Sequence, residues 1–70
     1  MEFVTIKFVE SRTVFIDGRV AGLTNVVLRT NEGTHSFDLG ASGDYQPRSR
    51  KVMVTGTTSI SPQEVHFEKV

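Results

Sequence analysis

Apolar and polar residues alternate along most of this chain, and Gly, Asn, Asp or Pro interrupts the alternation at short intervals. The first run places Val4, Ile6 and Phe8 on one face of a strand and two more apolar residues, Phe3 and Val9, on the other. A strand with two apolar faces is either central in its sheet or covered by another element, because at an edge it would pair with another chain. No window shows a helical period, so the pattern predicts an all-β chain.

Two turn signals connect the next four strands. Asp17-Gly18 lies between β-branched residues and predicts a type I′ turn, in which both central residues have positive φ. Residues 31–33, Asn-Glu-Gly, separate the apolar runs 26–30 and 34–39. This spacing predicts a second hairpin, with Gly33 in the left-handed position of a three-residue loop.

The second half of the chain predicts a loop followed by two more strands. Residues 40–47 contain two glycines and a proline, and Tyr45 is the expected anchor of this loop. The run 48–55 places two arginines on the same face as two valines, which predicts either that the arginines lie beyond the core or that a bulge redirects them. In the run 64–70, Val65 and Phe67 are expected to point inward. The whole chain, residues 1–70, is thus predicted to form one domain of six or seven short strands, a small antiparallel β-sandwich or alternatively a small β-barrel.

The amino-acid composition limits which kinds of site and partner this chain can have. Val, Ile and Thr make up 21 of the 70 residues, which favours strands, and the absence of cysteine excludes disulfides and thiolate metal sites. Eight basic residues balance eight acidic ones, whereas a dedicated nucleic-acid binder usually carries a basic excess. No apolar run approaches the ~20 residues of a membrane-spanning helix. These features favour a protein partner or self-association over nucleic acid or a membrane span.

Five short segments match the turn and strand pattern of one family. They are residues 14–18, ending in Asp-Gly; 22–24, Gly-Leu-Thr; 33–35, Gly-Thr-His; 43–45, a Gly-Tyr element with one inserted residue; and the strand 50–54. On these motifs the chain resembles a PEGA domain over nearly its whole length. It departs from that family where Glu-Ser-Arg-Thr at 10–13 replaces the Pro-Glu-Gly-Ala tetrapeptide, and where Asn25 replaces the usual proline after Thr24.

The resemblance implies a small β-sandwich that acts as an accessory module in envelope, surface-layer or kinase-linked proteins. The family has no established catalytic residues, so the resemblance implies none here. As a domain of a larger protein the chain would be expected in the cell envelope. If Met1 is the native start, it would be expected in the cytoplasm.

Candidate chemical groups are sparse. The two histidines, His35 and His66, have opposite strand parities and are expected in different environments, the first packed beside a turn and the second facing water. Four residues with oxygen-bearing side chains could be imagined as calcium ligands, but each lies near a turn, where it is expected to bond the backbone: Asn31, Glu32, Asp38 and Asp44. No nucleophile motif or phosphate loop is present, so we expect no enzyme, cofactor, metal or small-molecule substrate.

One local charge cluster, Arg48-Ser49-Arg50-Lys51, follows Tyr45. Arginine pairs with carboxylates and phosphates and an aromatic ring stacks on bases or peptides, so Tyr45, Arg48, Arg50 and Lys51 are the candidate binding residues. The leading hypothesis is a non-catalytic module for protein–protein interaction or structural assembly. It would act through the edge of the first strand or through the loops around Tyr45 and Arg48. The alternative is a nucleic-acid-binding β-barrel that uses the basic cluster.

Overall fold

The computed structural model describes all residues from 1 to 70 and consists of nine strands without helices. The strands are β1 (Glu2–Lys7), β2 (Thr13–Ile16), β3 (Arg19–Leu23), β4 (Val27–Thr30), β5 (Gly33–Asp38), β6 (Tyr45–Gln46), β7 (Arg50–Val54), β8 (Gln63–His66) and β9 (Glu68–Lys69). Two of them, β6 and β9, are only two residues long, which accounts for the larger number than the sequence predicted. No element of the structure is a helix that could cross a membrane.

The strands form two main sheets and one small ladder. One sheet has the order β4-β1-β8, the other has the order β3-β2-β5-β7, and β6 pairs with β9. Inward-facing side chains of the two sheets meet in a single core: Val4, Ile6, Leu28 and Val65 from the first sheet, and Val14, Ile16, Phe37 and Val54 from the second. The β-sandwich prediction is therefore confirmed, and the barrel alternative is wrong because the sheets do not close into a ring.

The first strand is central in its sheet. β1 pairs with β4 on one side and with β8 on the other, and Val4, Ile6 and Phe8 are all buried. The predicted inward face is thus correct, but β1 offers no free edge to a partner. Its pairing with β8 is parallel, which corrects the expectation of a purely antiparallel domain.

One predicted hairpin is present and the other is not. Asp17 and Gly18 have φ values of 53° and 81°, and they join the antiparallel pair β2 and β3 through the predicted type I′ turn. The second prediction is wrong, because β4 and β5 belong to different sheets and do not pair. Residues 31–33 instead carry the chain across the sandwich.

The molecule has an ordinary surface for a folded monomer. Its accessible area is 4291 Å² for 7.8 kDa, close to the ~4,400 Å² that monomers of this mass expose. Twelve apolar residues form the core, and no buried side-chain nitrogen or oxygen lacks a hydrogen-bond partner.

Candidate interaction surface

Tyr45 has a structural position and is 2% exposed. Its hydroxyl donates to the Gly40 carbonyl at 2.5 Å and accepts from the Leu39 N–H at 3.2 Å. Its ring packs edge-on against Phe67, with the centroids 5.6 Å apart. Tyr45 is therefore the predicted loop anchor, and it presents no free face on which a base or peptide could stack.

The other three candidate residues lie together on the surface. Arg50 and Lys51 begin β7 and Arg48 precedes it; all three are exposed, and none forms an ion pair with a carboxylate. Arg50 shares the inward parity of its register partner Phe37, but it lies beyond the end of the core. The register between β5 and β7 is regular up to Arg50, so no bulge redirects this side chain. Of the two explanations offered by the sequence, the position beyond the core is the correct one.

Arg50 also borders a shallow polar groove. Its Nη1 donates to the His66 carbonyl at 3.0 Å, which links β7 to β8 across the open end of the sandwich. The groove has a volume of about 360 Å³ and is lined by Gln46, Pro47, Arg50, His66 and Glu68. Because it contains both basic and acidic side chains, it is not a dedicated anion site.

The edge strand β3 combines unpaired backbone with exposed apolar side chains. It pairs only with β2, and the register shifts at Ala21, so that Leu23 lies opposite Thr13 and Val20 opposite Phe15. The extra residue of this bulge brings Val20 and Leu23 to the same outer face, which a regular strand would not do. Their side chains are 70% and 49% exposed.

The β7 and β8 edges are better protected, and β4, which exposes Val27 at 48%, carries one charged residue within the strand. β7 begins with Arg50 and Lys51 and lies beside β8, β8 carries Glu64 and His66, and β4 carries Arg29. Charged side chains on an edge strand discourage pairing with another chain. Beyond Arg19, which adjoins the turn, β3 has no charged residue over its remaining four positions, Val-Ala-Gly-Leu.

The two histidines do not converge on one site. The His66 side chain is 61% exposed and lies 3.3 Å from a Glu64 carboxylate oxygen. The His35 side chain is 14% exposed and lies 2.6 Å from Asp17 Oδ2. The predictions of different environments, with His35 beside a turn and His66 facing water, are confirmed.

The candidate calcium ligands bond separate partners. Asp38 accepts from the Gly40 N–H at 2.9 Å, and Glu32 accepts from the Thr55 hydroxyl at 2.5 Å. Asp44 pairs with Arg12. No group of three or more His, Cys, Asp or Glu residues is placed to hold a metal ion.

An ionic network that sequence reasoning missed joins the β1–β2 connection to the 40–47 loop and the C-terminal strand. Arg12 pairs with Asp44 and, at 2.9 Å, with Glu10, which also contacts Lys69 Nζ at 2.5 Å. Hydrogen bonds from Arg12 and then Ser42 hold the pKa of Asp44 well below its usual range. The three segments that the network joins are far apart in sequence, and no local motif signals their contact.

The β3 surface was also missed, because the hairpin signal at Asp17-Gly18 does not reveal which strand will be the sheet edge. The sequence feature that could have indicated this surface is the presence of two apolar residues, Val20 and Leu23, on the strand that follows the turn. No protein-family model matches the chain, and searches among curated proteins and solved structures found no significant similarity. The PEGA resemblance therefore stays a prediction.

Proposed function

We propose that this chain is a non-catalytic binding module that takes up an extended segment of a protein partner beside β3. The observation that carries the proposal is the combination of an unpaired edge with two exposed apolar side chains, Val20 and Leu23, on one face. An added strand would form main-chain hydrogen bonds with β3 and continue the four-stranded sheet.

The outer face of this sheet gives such a strand apolar contacts. Val20 lies directly opposite Phe15, and cross-strand neighbours of this kind approach to about 5 Å between Cβ atoms. A partner side chain at the adjacent position would extend this row of contacts. Main-chain pairing would supply affinity, and the alternate side chains that face Val20 and Leu23 would supply specificity.

The non-catalytic part of the proposal is supported by the use of the polar groups. The best-placed histidine, His35, has both ring nitrogens in contacts with other parts of the fold. The Tyr45 hydroxyl is also engaged on both sides. These two groups therefore hold the fold together.

The test is affinity capture from the native host with the tagged wild type, V20K and M53K, each with and without nuclease. Val20 and Met53 are both exposed, at 70% and 58%, and lie on opposite edges of the same sheet, so M53K is a matched control. We expect a protein that survives nuclease, is retained by M53K and is lost from V20K. Equal retention by both variants would contradict strand addition at β3.

A second candidate function is binding of nucleic acid through Arg48, Arg50 and Lys51, favoured by the absence of any carboxylate paired with these residues. Without stacking on Tyr45, such binding would be mainly electrostatic. Affinity falls as salt is added, and each lost phosphate contact would make the slope of log affinity against log salt concentration shallower by about 0.9. The variant R48Q/R50Q/K51Q tests this: unchanged nucleic-acid affinity and salt dependence would exclude the basic segment as the site.

A further inference from the structure

His35 lies at a junction of three parts of the chain. It belongs to β5, and its Nδ1 is 2.6 Å from Asp17 Oδ2 in the turn that joins β2 to β3. Its Nε2 is 2.7 Å from the carbonyl oxygen of Asn31, in the connection between β4 and β5. One imidazole ring thus bridges the hairpin that carries the β3 edge and the segment that crosses between the sheets.

The chemistry of these two partners fixes the protonation state of the ring. A carboxylate oxygen and a carbonyl oxygen both accept hydrogen bonds and cannot donate them. Neutral imidazole carries one N–H group, whereas imidazolium carries two. Both contacts are therefore hydrogen bonds only when His35 is protonated.

The surroundings of the ring favour this charged state. Asp17 is the one carboxylate within salt-bridge distance, and its hydrogen bond, followed by that of the Asn31 carbonyl, raises the pKa of His35 against the opposing effect of burial. Glu32, the next acidic group along the connection, is bonded to Thr55. From the neighbouring elements, β7 places apolar Val52 opposite His35, and Thr30 at the end of β4 places its hydroxyl 3.4 Å from Nε2.

Loss of the proton would leave one of the two bonds. With the remaining proton on Nδ1, the ring would keep Asp17, and its bare Nε2 would repel the Asn31 carbonyl and turn to the Thr30 hydroxyl. The turn would still be held to β5 by two hydrogen bonds between Asp17 and the main chain of Ser36. The Asp17 N–H donates to the Ser36 carbonyl at 2.8 Å, and the Asp17 side-chain Oδ1 accepts from the Ser36 N–H at 2.9 Å. The hairpin would stay folded and paired with β5, but it would lose its link through His35 to the β4–β5 connection.

We propose that protonated His35 clamps the β2–β3 hairpin to the β4–β5 connection and thereby keeps the β3 edge ordered for its partner. This inference rests on the proposed function, since it assigns a proton-dependent control to the same edge. β3 begins two residues after Asp17 and pairs with β2 alone, so its order depends on that hairpin. An edge held in its bound conformation costs less to order on binding, so the partner binds more tightly below the pKa of His35.

The test uses the free protein and needs no partner. Amide hydrogen exchange by NMR is measured at about pH 5 and about pH 8, which bracket the histidine range, and is corrected for intrinsic exchange rates. We expect protection of the β3 amides that bond to β2 to fall about tenfold from the lower to the higher pH, the size expected for one charge-assisted hydrogen bond. H66Q, which removes the exposed histidine, keeps this dependence, and H35Q abolishes it.

A second variant guards against a failure of H35Q to fold. Asparagine tolerates the positive φ of the turn, so D17N keeps the backbone while it removes the carboxylate charge. We expect D17N to move the midpoint of the pH dependence to lower pH. Equal β3 protection at both pH values in the wild type, a retained dependence in H35Q, or an unshifted midpoint in D17N would overturn the clamp. None of these results depends on whether β3 binds a partner strand.

Discussion

Leu28 occupies the space that a side chain at Gly22 would need. Its Cδ2 lies 2.5 Å from the position of a Cβ at residue 22, where φ is 153°. This contact packs β4 of one sheet against β3 of the other. We expect G22A to destabilise the fold by about 2 kcal/mol, the usual size of an overpacking penalty, measured by urea unfolding.

A double-mutant cycle separates the clash from the backbone strain. L28A removes the obstructing side chain, so the additional penalty of G22A should be smaller in the L28A background than in the wild type. An equal penalty in both backgrounds would mean that Leu28 does not determine the glycine at this position.

Asn25 forms a turn whose geometry is incompatible with proline. Its φ is 65°, its N–H donates to the Ile6 carbonyl at 2.7 Å, and its Oδ1 accepts from the Phe8 N–H at 3.1 Å. Proline has no N–H and a φ near −65°. We expect N25P to destabilise the chain by about 3 kcal/mol or more, whereas N25G costs about 1 kcal/mol because it loses only the side-chain hydrogen bonds to Phe8 and Glu10. A thermal scan in which N25P melts with the wild type would contradict this turn geometry.

Removal of the Tyr45 hydroxyl should weaken the fold without changing the surface. Y45F keeps the ring against Phe67 but leaves the Gly40 carbonyl and the Leu39 N–H without their partner. We expect a loss of about 1 to 2 kcal/mol in chemical unfolding, because buried polar groups that lose a partner are costly. R48Q, which changes an exposed side chain in the same region, is the control and should leave the unfolding midpoint in place. A Y45F midpoint equal to that of R48Q would argue against the anchoring role.

The Arg12–Asp44 pair predicts a specific acid sensitivity. The pKa of Asp44 is lower in the folded chain than in the unfolded one. The stability that the ionised carboxylate contributes is therefore present above the unfolded pKa near 3.8 and is lost as the pH falls through the folded pKa. We expect D44N to be less stable than the wild type at neutral pH and the difference to shrink in acid. R12Q removes the cause of the pKa shift, so its stability should also depend less on pH in the acid range than that of the wild type. Urea unfolding at a series of acid pH values checks this. If the free energy of unfolding falls as steeply with pH in D44N as in the wild type, the role of the Arg12–Asp44 pair is refuted.

The local features of the fold could be predicted from the sequence, and the long-range ones could not. Asp17-Gly18 specifies its turn by itself, and the alternation around Val4 and Val65 specifies which face is buried. The segment 31–33 carries the same kind of turn signal, but whether β4 and β5 pair depends on β1, β2 and β7, which compete for their edges. The parallel pairing of β1 with β8 joins the two ends of the chain and has no local signature.

The site was predicted less well than the fold, for a related reason. Tyr45 was expected both to anchor a loop and to bind, and burial under the 40–47 loop leaves only the first role. The free edge was expected at the first strand because of its two apolar faces, but this strand lies between β4 and β8 and has no free edge. Edge status belongs to the sheet order, so β3 could be recognised only after that order was known.

The most direct test of strand addition at β3 uses the partner protein that the wild type captures and V20K does not. Amide hydrogen exchange is measured in the complex of the chain with that partner. Only a newly paired strand would protect the outward-facing amides of β3 while those of β4, β7 and β8 keep their free-state rates. Strand addition at β3 requires that result. New protection confined to β7 or its flanking residues 48–51, or no new protection at any edge, would contradict it.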